Sequence, residues 1–303
     1  MTHAAARLSG AARRVPAPAL VLGAILSVQF GAAVAAGLIH QLGAVVTVAI
    51  RLDVAALILA VIARPSLRGR TAADWRAAGI LAVSLVVMNV AFYNAIARIP
   101  LGIVTTIEFI GPLGLAAVSS RRPRDLVAVA VALAGVVAVS GVLDTSLKGL
   151  DPAGLVFTAI ASCGWVSYIL ATRSIGKRFR QVDGLALAMI GAAALMTPLG
   201  VVAGVSSGIS LQAWQVAAGA SVGLLSSVVP YSLELVALRR IDTRVFGILL
   251  SLEPAVAALA GLIVLGQALT GLEVGGMALV VLASVIVMAD QRAAPEEEAA
   301  EIG

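Results

Sequence analysis

The amino-acid sequence predicts an all-α membrane protein of ten transmembrane helices, and three observations carry that expectation. Long apolar stretches recur about ten times along 303 residues. Hydrophobic residues make up 60% of the chain and charged residues 12%, with a mean hydropathy of +1.05, far more apolar surface than a water-soluble fold could cover. The arginines and lysines fall almost entirely on alternate connectors. Since a helix crosses the hydrocarbon layer with roughly 20 residues, ten spans leave room only for connectors and none for a separate soluble domain. Continuous apolar runs of this length are read as helices, not barrel strands.

In chain order the predicted spans are 18–39, 45–63, 77–97, 100–119, 126–143, 153–172, 184–204, 213–237, 245–265 and 271–289. Their orientation follows from charge, because basic connectors are retained in the cytoplasm. With the amino terminus inside, the cytoplasmic segments hold Arg7, Arg13 and Arg14, then Arg64, Arg68, Arg70 and Arg76, then Arg121, Arg122 and Arg124. Further on they hold Arg173, Lys177, Arg178 and Arg180, then Arg239, Arg240 and Arg244, and last Arg292, which makes 18 of the 21 basic residues. The other side has Arg98 and Lys148, and Arg51 lies within a span. Ten helices put both termini in the cytoplasm. The net charge of +5 and a pI near 10.1 therefore report topology, and without aromatic residues interleaved in a basic patch they do not indicate nucleic-acid binding.

Two segments imitate other things. Residues 1–36 combine arginines, an apolar run and Ala33 to Ala36 in the manner of a secretory signal, but cleavage there would leave nine helices and break the charge alternation. Residues 1–17 are thus expected to be a cytoplasmic segment. The acidic run of Glu296, Glu297 and Glu298 suggests a disordered cytoplasmic tail over 290–303. Cys163 is the only cysteine, so no intrachain disulfide can form, and it is expected to be a small packing residue.

Internal duplication is the next expectation. Leu101-Gly102-Ile103 through Ile107-Glu108 aligns with Phe246-Gly247-Ile248 through Leu252-Glu253, each with a glycine six residues before a glutamate and a proline after it. The first copy starts outside and the second inside, as two inverted repeats of five helices require, 18–143 and 153–289. At 1.5 Å per residue, Glu108 lies about 12 Å from Pro100 and Glu253 about 13.5 Å from Arg244, which brings both carboxylates toward the bilayer midplane. A charge at that depth costs roughly 2.5–3.5 kcal/mol on insertion scales, so each glutamate should face a cavity or a partner. Glu108 and Glu253 are the leading candidates for substrate binding or proton coupling; the alternative is structural, with each hydrogen-bonded to a neighbouring helix. Three prolines kink the helices near them or in the eighth span: Pro112, which cannot donate to the carbonyl of Glu108, Pro254, which leaves that of Leu250 free, and Pro230.

Further polar and aromatic side chains stand at helical spacing and could wall the same cavity: Asn89 and Tyr93 in the third span, Trp165 and Tyr168 in the sixth, Ser227, Tyr231 and Glu234 in the eighth, with Ser27 and Gln29 in the first. Such aromatics also sit at bilayer interfaces or simply pack. Arg51 and Asp53, two residues apart, do not face one another; Arg51 is expected to pair structurally with a carboxylate on another helix, with contact to the substrate as the alternative. Gly271 with Gly275 and Ala128 with Ala132 form small-residue pairs in the tenth and fifth spans, which read as scaffold or contact surface.

A family resemblance rests on Met88-Asn89, Phe92-Tyr93, Ile99 to Ile103, Glu108 to Leu113, Ser119 to Pro123, Pro230 to Glu234 and Leu252 to Ala255. These runs resemble the threonine/homoserine exporter group in the EamA branch of the drug/metabolite transporter superfamily, and the likeness extends from Ser27 to Thr270. It implies a bacterial inner-membrane secondary carrier working by alternating access and exporting small amino acids, with a broader metabolite or drug exporter of the same fold as the alternative. One departure is Gln267, where Leu-Gly-Glu is common in the group. The expected partners are the amino acid, the lipid bilayer and, as one use of the small-residue surface, a second copy of the chain; nucleic acid is not among them. No cofactor and no metal are expected, since His3 and His40 have no ligand partner at helical spacing, and the chain has no Walker loop to bind ATP. An enzyme embedded in the membrane would need a metal pair or a nucleophile and base, which the sequence does not offer.

The charge alternation has a direct check. A reporter active only outside the cytoplasm is expected to work when fused near Ser207, and one active only inside near Lys177; the reverse pattern would overturn both the orientation and the inverted-repeat argument.

Overall fold

The computed structural model describes residues 15–120, 122–146, 148–265 and 268–301, and among these there is no strand. Arg7, Arg13, Arg14, Arg121 and Gln267 lie outside the described residues. The helices are α1 (Ala17–Ala63), α2 (Ala72–Ile96), α3 (Leu101–Ser119), α4 (Pro123–Val139), α5 (Pro152–Arg178) and α6 (Asp183–Ser206). They continue with α7 (Ala213–Gly223), α8 (Val229–Leu238), α9 (Thr243–Leu250), α10 (Leu252–Leu265) and α11 (Gly271–Glu301). Among the described residues eight segments have the length and apolarity to cross a membrane: Ala17–Ile39, Gln41–Ala63, Ala72–Ile96, Leu101–Ser119, Pro152–Arg178, Asp183–Ser206, Ala213–Leu238 and Gly271–Ala289. Val118 and Ile263, 87% and 80% exposed, are the kind of side chain that only lipid would cover.

The two remaining predicted spans differ in informative ways. The fifth span ends at Val139, because Gly141 adopts φ 68° and the chain turns into a short 3-10 segment, Val142–Asp144, so the helix has 17 residues. The ninth is divided at Ser251 into α9 and α10: Pro254 has no N–H for the carbonyl of Leu250, and the Ser251 hydroxyl donates to the carbonyl of Ile248 at 2.6 Å. The first two spans meet with no loop; α1 bends at Gly43, whose φ of 72° and ψ of 164° only glycine adopts readily. The acidic segment is helical to Glu301, where charge alone suggested disorder; its alanines and glutamates are strong helix formers.

Contacts divide the chain into two compact units, and neither is a contiguous half. The first comprises Met1–Asn94 and Cys163–Arg240, the second Ala95–Ser162 and Ile241–Gly303. Of the predicted spans, the first three, the seventh and the eighth fall in the first unit and the fourth, fifth, ninth and tenth in the second, while the sixth is divided between them at Cys163.

Small residues bring backbones close within each unit, as expected where dispersion rather than the hydrophobic effect drives helix association. In the first unit a Cβ on Gly200 would stand 2.3 Å from that of Ala49, and one on Gly219 2.5 Å from Ile50. In the second, Gly102 lies against the carbonyl of Ser140 and Gly247 against that of Pro112, where added Cβ atoms would come within 2.1 and 2.6 Å. Helix α4 buries Ala128, Ala132 and Val136 against α11, and Gly135 meets Gly276 and Val280 there. Of the small-residue pairs read from the sequence, Ala128 and Ala132 lie in this contact, whereas Gly271 and Gly275 face open space; the contact is made by Gly276.

Polar pairs tie together connectors that the charge alternation assigns to one face. In the first unit Arg70 pairs with Asp183 at 3.4 Å and Arg178 with Asp74 at 3.7 Å. Arg239 donates to the carbonyls of Gly176 and Phe179, both at 3.0 Å, and to that of Gln181. Gln215 donates to Gln41 at 3.0 Å between connectors assigned to the opposite face. In the second unit Arg244 pairs with Asp125, and Arg98 with Asp151 at 3.8 Å, again each between connectors of one assigned face.

Two glycine substitutions should act in opposite directions. Gly135→Ala, whose methyl would sit 2.6 Å from Val280, is expected to lower the thermal midpoint of the purified protein by a destabilisation of about 1–3 kcal/mol. Gly275→Ala, in open space on the same contact helix, is expected to raise it slightly, by about 0.4–1 kcal/mol.

Candidate functional site

The helical segment from α7 to α8 changes pitch in the middle. Residues Leu224–Val228 form a π-helical turn, with the Val229 N–H bonded to the carbonyl of Leu224 five residues back, and Pro230 follows with no N–H to give. The carbonyls that lose their donor are taken up by α1. The Ser27 hydroxyl donates to the carbonyl of Leu225 at 2.6 Å, and Arg51 Nη2 to that of Ser226 at 2.8 Å. Gly31 permits the approach, since a Cβ there would lie 2.0 Å from the Ser226 hydroxyl.

Around this turn the first unit assembles a polar cluster. Arg51 Nε donates to the Ser227 hydroxyl at 2.7 Å, Nη1 to Asn89 Oδ1 at 3.3 Å, and Nη2 also to the Tyr231 hydroxyl at 2.9 Å. Asn89 is held by its own Nδ2, which donates to the carbonyl of Leu85 at 2.7 Å. The rings of Tyr231 and Tyr168 are 5.3 Å apart, and the Tyr168 hydroxyl donates to Glu234 at 2.5 Å. Tyr93, one turn after Asn89 on α2, is close enough to Tyr231 to act on it electrostatically. Helix α5 is positioned against α2 by Gly164, which packs on the Met88 backbone, and by the Ser84 and Ser167 hydroxyls at 2.6 Å. Trp165 is half-buried on α5, one turn before Tyr168, and Gln29 is half-buried on α1 between Ser27 and Gly31.

The second unit holds the other two candidates. Glu108, buried on α3, and Glu253, at the start of α10, are near enough for their charges to interact. The carbonyl of Glu108, freed by Pro112, accepts the Ser162 hydroxyl at 3.0 Å, and Gly111 gives Ser162 the space to reach it. Ser162, Ser27 and Arg51 thus complete kinks that the prolines create. The carbonyls of Glu108 and Ser226 stand four residues before a proline, the sequence signal for where a donor would be needed, whereas that of Leu225 stands five before and belongs to the π-helical turn.

One expectation is corrected. Arg51 has no carboxylate among its hydrogen-bond partners; they are two hydroxyls, an amide oxygen and a backbone carbonyl. Asp53 is engaged by the Thr197 hydroxyl at 2.6 Å. A guanidinium with its rigid fork of five donors suits such a scatter of acceptors, which explains why it can be built in without an acid. Among the described residues no group of three or more His, Cys, Asp or Glu side chains could hold a metal.

Kinked helices that carry charge and hydroxyls into the interior of a helical membrane bundle are the build of a multi-pass transporter. The EamA-like transporter family matches residues 152–289. Threonine/homoserine exporter RhtA of Salmonella typhimurium strain LT2 is 37% identical over 286 residues, covering 92% of this chain and 94% of that protein, and the protein of the same name from Escherichia coli K12 matches to the same extent. A crystal structure of a protein 19% identical superposes with a TM-score of 0.75, over 91% of this chain and 97% of the other, and shows the same fold. The chain belongs to the EamA-like transporter family. It is accordingly a transporter and not an enzyme.

The link between the kink and α1 can be measured by a double-mutant cycle. Ser27→Ala is expected to cost about 1 kcal/mol by leaving the Leu225 carbonyl without its donor. In a Pro230→Ala background, where an N–H returns to the turn, the same change should cost at least about 0.5 kcal/mol less. Strict additivity of thermal stabilities would separate Ser27 from the proline kink.

Proposed function

We propose that the protein exports small zwitterionic amino acids, threonine and homoserine among them, across a bacterial inner membrane. The observation that carries this reading is the 37% identity to threonine/homoserine exporters along 92% of the chain. The working cycle is alternating access, with both termini in the cytoplasm as the basic connectors suggest. Two inverted repeats, 18–143 and 153–289, underlie it; that each compact unit draws on both halves of the sequence supports them, as do the matched positions of Gly102 and Gly247 against a neighbouring helix carbonyl.

Within this cycle Asn89, Tyr93 and Tyr231 supply polar contacts to the substrate, Trp165 and Tyr168 limit the size of its side chain, and Glu234 contributes to recognition of its ammonium group. Gln29 stands at the edge of the same cluster. The Glu108 and Glu253 carboxyls, acting on each other inside the second unit, are the groups through which a proton gradient would be coupled. Pro112, Pro230 and Pro254 are the bends about which helices rearrange.

Overproduction in a sensitive bacterium is expected to raise tolerance to added homoserine or threonine and to increase the amount in the medium, while Glu108→Gln and Trp165→Ala, made to the same level in the membrane, should not. Unchanged tolerance with confirmed insertion would overturn the substrate and favour a broader metabolite exporter of the same fold. If Glu108→Gln and Glu253→Gln both transport normally at every pH tested, the glutamates are structural and the coupling assignment fails.

A further inference from the structure

Arg51 carries a full charge at the centre of its span. Counted along the helix it is ten residues from Gln41 and twelve from Ala63, about 15 and 18 Å from the two ends. Charges at such depth face the bundle interior or water and pair with an opposite charge or with backbone carbonyls, and Arg51 has one such carbonyl, that of Ser226, and the Tyr231 ring 5.9 Å from its guanidinium carbon. Other arginines of the structure meet an acid: Arg70, Arg98, Arg178 and Arg244 pair with Asp183, Asp151, Asp74 and Asp125. Arg51 meets only neutral acceptors, which orient the guanidinium and leave its charge in place.

Repair of the proline kink does not account for a charge there. The Leu225 carbonyl, next to the one Arg51 serves, is satisfied by a neutral hydroxyl from Ser27. The donors of Arg51 are also unevenly used. Nε has one partner and Nη2 two, so those N–H groups are filled; Nη1 has a single partner at 3.3 Å, the longest of the set, and a second N–H with no acceptor among the described residues. The open edge is Nη1. Beside it, the Tyr231 hydroxyl accepts from Nη2 and keeps a proton of its own to donate.

We infer that Arg51 is the seat of the substrate's carboxylate, received on the Nη1 edge and by the Tyr231 hydroxyl. This deepens the amino-acid reading above and rests on it. A small carboxylate supplies the missing negative charge and accepts the unused N–H, through the charge-assisted hydrogen bonds that guanidinium groups make best. Asn89 and Ser227 act as positioning residues, holding the guanidinium with its open edge fixed. The site therefore selects for a free carboxylate and rejects an amide of the same size.

The test uses the purified full chain, with thermal unfolding read against added L-threonine and L-threoninamide, and counterflow of labelled threonine in proteoliposomes. Wild-type protein is expected to be stabilised by threonine in proportion to its occupancy and to prefer it over the amide by about 10- to 100-fold. Arg51→Gln should lose that preference, so that acid and amide act alike. Arg51→Lys keeps the charge but not the fork, and should retain the preference with threonine binding about tenfold weaker. If Arg51→Gln folds and still prefers threonine over its amide as wild type does, Arg51 is not the carboxylate seat. Should Arg51→Gln fail to fold, unchanged threonine affinity in Arg51→Lys overturns the inference equally. Wild-type protein that neither binds nor exchanges threonine, homoserine or any other amino acid defeats the export reading instead, before Arg51 is put to the question.

Discussion

The rest of the structure depends on one requirement: a backbone carbonyl inside a membrane has no water to bond and must find its donor within the protein. Prolines at 112, 230 and 254 each remove a donor, and the surrounding helices are arranged around the repairs. Ser162 reaches the carbonyl of Glu108, and Ser27 and Arg51 reach those of Leu225 and Ser226. At Pro254 the solution is different, and the helix simply divides at Ser251. The repairs place hydroxyls in the interior, where they would otherwise be too costly to bury. Helix geometry and the polar cluster thus have a common origin.

That origin also explains why α1 is the organising helix of the first unit. It bends at Gly43, presents Ser27 and Gly31 to the π-helical turn from one segment, and Ala49, Ile50 and Arg51 to α6, α7 and the same turn from the other. Close approach and hydrogen bonding reinforce one another there. Without the small residues the side chains could not reach, and without the hydrogen bonds the freed carbonyls would open the contact.

Much of the fold was legible in the sequence because hydrophobic length and charge placement are one-dimensional signals. The spans, the grouping of Arg70 with Asp183 or Arg98 with Asp151 on shared faces, and the carbonyls freed by Pro112 and Pro230 all follow from position along the chain. What depends on lateral packing was not legible. No periodicity says that Gly276 rather than Gly275 touches α4, since the two are adjacent and both small. Nor could it be read that Asn89, Tyr168, Tyr231 and Glu234 gather in one unit while Glu108 and Glu253 lie in the other, or that Arg51 would be surrounded by neutral groups. On an isolated helix in lipid Arg51 would need an acid; within the unit the fork of its guanidinium is filled by hydroxyls, an amide oxygen and a backbone carbonyl.

The interleaving of the two units sets an order of assembly on the ribosome. Helix α4 is made early, with Ala128, Ala132 and Gly135 on the face that will close against α11, yet Gly276 and Val280 follow roughly 140 residues later. At about 5–20 residues per second, that face waits on the order of 7 to 28 s for its partner while the whole remainder of the first unit is inserted. During the interval the early helices have only lipid, the insertion machinery or each other for company. A stripe of alanine and glycine is well suited to such a wait, because it offers little that would bind a wrong neighbour tightly and yet leaves a groove in which one particular late helix can lie.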